Sequence, residues 1–332
     1  MTTTTVAPGT LSTAQAINRA LHDALAEDPS VLVLGEDVGP LGGVFRVTDG
    51  LTAAFGEDRC FDTPLAEAGI AGFAVGLAMN GMRPVIEMQF DAFAYPAFEQ
   101  VVSHIAKMRN RTRGRVELPL VMRVPYAGGI GGVEHHCDSS EAYYAHTPGL
   151  HVVAPSTPGD AYALLREAIA SRDPVVFLEP KKLYWAKGEV GGEHVPGIGT
   201  AVVRRAGTDA TLIAYGPAVP VALAAAEAAA QDGRSLQVVD LRSLVPYDDA
   251  TVCAAVESTG RAVVVAEAAG FAGFAAEVAA RVSERCFHSL AAPVRRVTGL
   301  DIPFPPPKLE HLQLPSVDRV LDAVDDLQWE DA

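Results

Sequence analysis

Short, uninterrupted apolar runs rich in β-branched residues recur along the first half of this chain, at residues 31–34, 84–90, 120–124, 151–155 and 175–178. Runs of that length read as strands, and continuous rather than alternating hydrophobicity means that both faces of each strand must be covered. Crossover helices packed on both sides of a parallel sheet provide that cover, so the pattern predicts a layered α/β unit. From 187 to 200 the sequence reads KGEVGGEHVPGIGT, glycine-rich and without periodicity, which predicts an exposed connector. Beyond it the rhythm restarts, with strands expected at 211–215, 236–241 and 262–266 and helices at 218–231, 274–290 and 317–327. Residues 303–307 are too proline-rich for regular structure. The expected fold is therefore α/β in two units, residues 1–190 and 200–332, since cores tend to split in chains beyond about 250 residues.

Bulk properties remove several function classes. With 49% hydrophobic and 20% charged residues, the chain has enough apolar surface to fold throughout. A formal net charge of −15 repels phosphate backbones and anionic lipid, so no nucleic acid and no membrane partner is expected. Cys60, Cys137, Cys253 and Cys286 form no Cys-x-x-Cys pair, and residues 1–10 lack a basic segment followed by an apolar one. Both observations favour free thiols in a reducing cytoplasm. The most apolar stretch, 261–282, carries Glu267, Glu277 and several glycines, which suits a buried strand-turn-helix better than a membrane span.

Three segments break local rules. Thr63-Pro64 reads as a helix start, with Thr63 as N-cap, and Glu67 then shares a helical stripe with Ile70, Ala71, Ala74 and Val75. A capping box on Thr63 would need its acid at 66, which is alanine. Glu67 is thus expected to be buried or nearly so, either paired with a distant arginine or poised to share a proton with a buried heterocycle. Residues 126–140, YAGGIGGVEHHCDSS, form a glycine-rich loop after a strand, without the G-x-G-x-x-G spacing of dinucleotide sites. The loop delivers either a histidine to a cleft as acid, base or hydrogen-bond donor, or a metal ligand, or only surface. His146 reads as the end of a helix begun near Ser139, where a cation meets the helix dipole. Met88, Phe90, Phe93, Tyr95 and Phe98 make an apolar cluster, which serves as core or as a wall for a flat ring.

The motifs GEDVG (35–39), GGVFRVTDGL (42–51), DTPLAEAGIAG (62–72), RPVIEMQF (83–90), VEHHCDSSEA (133–142), HTPGLHVVAPSTP (146–158) and FLEPKKLYW (177–185) together resemble the β subunits of the E1 component of 2-oxo acid dehydrogenase complexes. DLRSLVPYD (240–248), TGRAVVVAEAA (259–269) and RRVTGLDIPFP (295–305) extend the resemblance over nearly the whole chain. It implies a pyrimidine-type thiamin-diphosphate-binding domain followed by a transketolase C-terminal-type domain, in an α2β2 heterotetramer with an E1 α subunit that acts on small 2-oxo acids. The VEHH loop and PKKLYW look most like branched-chain 2-oxo acid (2-oxoisovalerate) dehydrogenases; pyruvate and acetoin enzymes share much of the pattern.

By this match Glu67 faces N1′ of the cofactor's aminopyrimidine, Phe90 and Phe93 lie beside that ring, and His136 stands near the reacting centre during acylation of lipoyl groups on the E2 acyltransferase. The usual family loop reads His-Ser-Gln, whereas this one has His136-Cys137-Asp138, which bears on hydrogen bonding just after the histidine. An alkali-metal (K⁺) site of mainly backbone carbonyls falls on Leu118, Leu120, Val121, Ala168, Ser171 and Asp173. Diphosphate in these enzymes is held through Mg²⁺ by a Gly-Asp-Gly motif, and none occurs in this sequence. The implied assignment gives the pyrimidine half of a shared site to this chain, and the Mg²⁺ and diphosphate half to the α subunit. The first domain should then carry a large apolar interface. A non-catalytic E2-binding scaffold subunit is the alternative from another class.

Overall fold

The computed structural model describes residues 9–191, 195–327 and 329. Residues 1–8, on which the leader reading rests, and 192–194 of the connector lie outside the described residues. The first half supplies strands β1 (Gly9–Ser12), β2 (Val31–Gly35), β3 (Cys60–Asp62), β4 (Arg83–Glu87), β5 (Val121–Tyr126), β6 (His151–Val153), β7 (Val175–Pro180) and β8 (Lys187–Val190). The second half supplies β9 (Val202–Arg205), β10 (Ala210–Ala214), β11 (Leu236–Asp240), β12 (Ser243–Val245), β13 (Ala262–Ala269) and β14 (Arg295–Gly299).

Strands β2 to β7 pair in parallel in the order β6-β7-β5-β4-β2-β3. Their side chains leave alternately to opposite faces. Leu32, Leu34, Ile86, Met122 and Val176 join one apolar cluster, while Val31, Val33, Val85, Val121 and Val175 join another. This double coverage is the physical reason for the continuous apolar runs. Helices Thr13–Glu27 and Pro158–Ala170 cover one face through Ile17, Leu21, Leu164 and Leu165. The first of these starts with a capping box, Gln15 N donating to Ser12 Oγ at 3.2 Å and Ser12 N to Gln15 Oε1 at 2.9 Å. The second sheet runs β14-β13-β10-β11-β9, parallel except for β9.

The two halves share more than a linker. Strand β12 leaves the second half and pairs antiparallel with β6, so it completes the first sheet as a seventh strand. The cluster on the other face of the first sheet runs on into Ile213, Tyr215, Val239, Leu241 and Val264. A buried polar knot fastens the same junction: Arg242, fully buried, donates to Asp160 Oδ1 at 2.7 Å and to the carbonyls of Thr200 and Pro196, and Ser156 Oγ donates to Asp240 at 2.6 Å.

Several expectations are corrected. Residues 187–190 of the connector form β8, antiparallel to β1, because the start of the chain offers a partner that local sequence cannot reveal. The strand expected over 84–90 ends at Glu87, and the helix expected to reach 290 ends at Arg285, followed by a 3₁₀ turn at Phe287–Ser289. All four cysteines are free. Among the described residues no helix is long and apolar enough to cross a membrane.

Candidate functional site

In an open parallel sheet the binding crevice forms at the carboxyl edge where successive crossovers leave in opposite directions. Here that point lies between β2 and β4, since the chain steps from β2 outward to β3 and then returns to β4 on the other side. Polar and aromatic residues gather where these strands end: Glu36 and Asp37 after β2, and Gln89 and Phe90 after β4 and the buried Met88. Gln89 Nε2 donates to Asp37 Oδ2 across the switch at 2.9 Å. Asp37 itself sits at φ 59, a left-handed conformation that a non-glycine residue holds only when its surroundings impose it.

Glu67 opens the helix Glu67–Met79, which follows β3 and packs on the 3₁₀ segment Ala92–Ala97 that holds Phe93. Ile70, Ala71, Ala74 and Val75 are buried as the stripe predicts, but Glu67 is only half-buried in this chain, which corrects the expectation of burial. The helix begins at 67 rather than 64. Thr63 N is held by the Gly35 carbonyl at 2.8 Å, which keeps Thr63 extended, and the Thr63 hydroxyl caps nothing. Glu67 therefore stands at the mouth of the helix, past the end of the packed stripe, where the positive end of the dipole favours an acid.

Glu36 is a functional candidate that the sequence reading missed. It is 8% exposed, and its Oε1 has no hydrogen-bond partner among the described residues. Burial raises its pKa, and the charges of Glu67 and Asp37 raise it further, so Glu36 is a buried acid at the crevice held among like charges. The available signal was an acid placed directly after a wholly apolar strand.

The far wall is aromatic. The His136 ring lies 4.4 Å from Phe90 and 5.5 Å from Phe93, centroid to centroid, and the two phenylalanines are 5.4 Å apart. His135 stacks on Phe93 at 6.0 Å, and Phe45 meets Phe90 edge-on at 5.5 Å. Of the apolar cluster read from sequence, Met88 alone is core; Phe90, Phe93 and Phe98 are half-buried and Tyr95 is exposed. Burial holds the His136 pKa below the ordinary histidine value, and the charges of His135 and Lys181 lower it further, so the imidazole is neutral at neutral pH. The unusual residues after it are accounted for: the Cys137 thiol is buried and pushed up to about 11 by that burial, while Asp138 accepts from Tyr95 Oη at 2.9 Å. His146 caps the helix Glu141–Ala145, its N–H donating to the Ala142 carbonyl, and is exposed.

Beneath the loop lies a charged layer. Asp91, fully buried, accepts from Ser140 N at 2.9 Å and from the Ser140 hydroxyl, and burial pushes its pKa up to about 7. Lys181 is 1% exposed, its Nζ is 6.0 Å from the Phe90 ring centre without a hydrogen-bond partner among the described residues, and burial pulls its pKa down to about 8. Deeper still, Arg123 joins β4, β5 and β7 through Glu87 and Glu179, and Tyr184 Oη donates to Glu179 at 2.6 Å.

The two carbonyl segments implicated in alkali-metal binding are neighbours, with Leu118 N donating to the Arg172 carbonyl at 3.2 Å and Val175 N to that of Leu120 at 2.9 Å. Val121 opens β5, and the Ala168 carbonyl receives Ser171 N at 3.2 Å. The Ser171 hydroxyl bridges to the Asp173 carbonyl at 3.0 Å, while the Asp173 carboxylate pairs with Arg109. Among the described residues no group of three or more His, Cys, Asp or Glu is disposed to hold a metal ion.

The crevice fits the pyrimidine end of a thiamin cofactor. The buried Glu36 carboxyl can share a proton with a ring nitrogen, the orphaned oxygens of Glu36 and Thr63 await donors, and Phe90 and Phe93, set edge to face, offer aromatic surface. Residues 9–186 match the transketolase pyrimidine-binding domain model, and residues 199–320 match the transketolase C-terminal domain. The chain is 58% identical over 312 residues to a pyruvate dehydrogenase E1 component subunit beta of Leifsonia xyli subsp. xyli, covering 94% of this chain and 93% of that one. It is 57% identical over 317 residues to a 3-methyl-2-oxobutanoate dehydrogenase subunit beta of Mycobacterium tuberculosis, covering 95% and 91%. A split-gene transketolase, solved as an inactive beta4 tetramer, shares the fold with a TM-score of 0.75 at 24% identity, covering 96% of this chain and 98% of that one. With two domain models spanning its length and relatives of this identity and coverage, the chain belongs to the β subunits of the E1 component of 2-oxo acid dehydrogenases.

Proposed function

We propose that this chain pairs with an α subunit in an α2β2 heterotetramer that oxidatively decarboxylates branched-chain 2-oxo acids and acylates the lipoyl groups of an E2 acyltransferase. The observation that carries the reading is the β2/β4 switch, where a buried Glu36 feels the charge of Glu67 and the cluster of Phe90, Phe93 and His136 lies beyond the end of β4, in a chain without a Gly-Asp-Gly motif. Thiamin diphosphate, when bound, supplies a thiazolium that serves as the electron sink for loss of carbon dioxide. Glu67 holds the proton shared with the aminopyrimidine, and Glu36, whose pKa is raised by burial and by the charge of Glu67, resists a second negative charge beside it. Phe90 and Phe93 bound the ring and exclude water. His136, neutral at neutral pH, is free to accept or return a proton as the acyl group leaves for lipoyl.

The α subunit is assigned the Mg²⁺ and the diphosphate. Its docking face includes the outer side of helix Glu67–Met79, where Phe73 and Met79 are 51% and 52% exposed, together with Leu65 just before it, 81% exposed. A K⁺ site built on the carbonyls of Leu118, Leu120, Val121, Ala168, Ser171 and Asp173 belongs to the same proposal, since each carbonyl has a second lone pair to offer. Four free thiols suit a reducing cytoplasm. Branched-chain substrates are favoured by the VEHH loop and PKKLYW; a pyruvate substrate is the second reading, supported by the Leifsonia relative.

Calorimetry with thiamin diphosphate and Mg²⁺ tests the shared site, on this chain alone and co-expressed with a candidate α subunit. Binding is expected only in the pair, and tight Mg²⁺-dependent binding to the chain alone would refute the division. Turnover of 2-oxoisovalerate against pyruvate by the pair then separates the two substrates.

A further inference from the structure

The loop from 127 to 140 contains only one 3₁₀ turn, at Glu134–His136, and is built on Gly128, Gly129, Gly131 and Gly132. A segment so rich in glycine does not hold one shape by itself. Its base is closed within the first half: Ala127 N donates to the Asp138 carbonyl at 2.7 Å, and Ser140 N to Asp91 at 2.9 Å. Its glycine arm is held from elsewhere. Gly128 N donates to the carboxylate of Glu267 in β13, and Gly131 N donates to Glu310 Oε2 at 2.8 Å. Both acids belong to the second half and both are 8% exposed. Phe304 closes the contact, because a Cβ at Gly128 would lie 2.4 Å from the end of its ring. Buried carboxylates that accept from backbone N–H groups make bonds stronger than neutral ones.

We infer that Glu267 and Glu310 are positioning residues for His136: by holding the amides of Gly128 and Gly131, the second half of the chain sets where the imidazole stands against Phe90 and Phe93. This rests on the reading of His136 as the histidine of the acylation step. The inference gives the C-terminal-type domain a direct part in the site, because any shift of that domain that moves β13 or residues 304–310 pulls on the loop. It also explains why two acids with no substrate to touch are buried at the domain junction.

The test uses the assembled α/β protein with Glu310→Ala, Glu310→Gln and His136→Ala. Hydrogen exchange followed by mass spectrometry reads peptides covering 133–138, which contain neither clamped amide. Glu310→Ala is expected to speed exchange there by about tenfold, the low end of what one charge-assisted bond controls. Acylation of lipoyl domain should fall by a similar factor, with KM for the 2-oxo acid and ferricyanide-linked decarboxylation retained. Glu310→Gln, which keeps an acceptor oxygen, should restore both. Unchanged exchange in Glu310→Ala would overturn the inference, and so would faster exchange with undiminished acylation. If Glu310→Ala fails to assemble, Phe304→Leu, which loosens the neighbouring contact at Gly128 and leaves both acids in place, replaces it with the same expected outcomes. His136→Ala tests the underlying reading separately: undiminished acylation there would remove His136 from the reaction while the exchange data still judge the clamp.

Discussion

Replacing Arg123 by methionine should cost the first domain about 3–5 kcal/mol, the range seen when one partner of a buried ion pair is removed. Arg123 is fully buried, and Glu87 and Glu179 are 4% and 0% exposed. The guanidinium donates to Glu179 at 2.6 and 2.9 Å and to Glu87 at 2.6 Å, so methionine leaves two carboxylates facing each other in a dry interior. In the intact protein burial and the charge of Glu179 already raise the pKa of Glu87, against the pull of Arg123. Without the cation that holds it down, Glu87 takes up its proton at a still higher pH than in the unfolded chain. The sign follows: a raised folded pKa costs stability above the unfolded value, so the deficit should be small near pH 5 and grow towards pH 8. At about 2–4 °C per kcal/mol for a unit of this size, thermal unfolding should fall by roughly 6–20 °C at pH 8. The assay is differential scanning calorimetry at both pH values, with the triple variant Arg123→Met, Glu87→Leu, Glu179→Gln as control. Removing the charges together should recover much of the loss. A single variant as stable as the parent at pH 8, or one whose deficit grows on acidification, would refute the account.

Glu67→Gln should leave the α/β assembly intact by size-exclusion chromatography and lower decarboxylation by at least about 100-fold, as expected for loss of a proton-transfer partner; unchanged turnover removes Glu67 from that role. Because the His136 pKa is lowered, lipoyl acylation should keep its rate at neutral pH and fall only below about pH 6.5; an acid limb centred above pH 7 would contradict a neutral imidazole. Gly216→Ala should destabilise by about 1–3 kcal/mol in urea unfolding, since residue 216 has φ 50 and its Cβ would lie 2.1 Å from Tyr126 Oη; a neutral effect would mean that the Tyr126 ring can move aside there. Native labelling with iodoacetamide should reach Cys253, which is partly exposed, well before Cys137, whose thiol is buried and pushed up to about 11; rapid labelling of Cys137 would show that the loop opens.

What could be read from sequence follows from how local its cause is. Burial on both faces writes itself into a strand, so the runs that became β2, β5, β7, β10 and β11 stand out, and the helix Ala218–Gln231 appears with the expected ends. Strand β8 is invisible because its cause lies at β1, far away in the chain. The stripe beside Glu67 was legible, but its depth was not: burial depends on where the helix begins, and the bond from Thr63 N to Gly35 moved that point by one turn. Phe90 and Phe93 read as one cluster and His136 as part of a separate loop, and only the fold shows the imidazole against both phenylalanines. Glu36 escaped because a single acid after a strand looks like ordinary punctuation until the strand order places it at the switch.

Strand β12 has a consequence for synthesis. Until residues 243–245 emerge from the ribosome, β6 is an open edge of the first sheet, although all of β2 to β7 are already made. Edges of that kind recruit strands from other chains. Cutting the gene at the glycine-rich connector, the obvious place by sequence, would therefore yield an amino-terminal fragment with an unpaired strand and half of a shared core exposed. A fragment carried through residue 245 would bring its own cover for that edge.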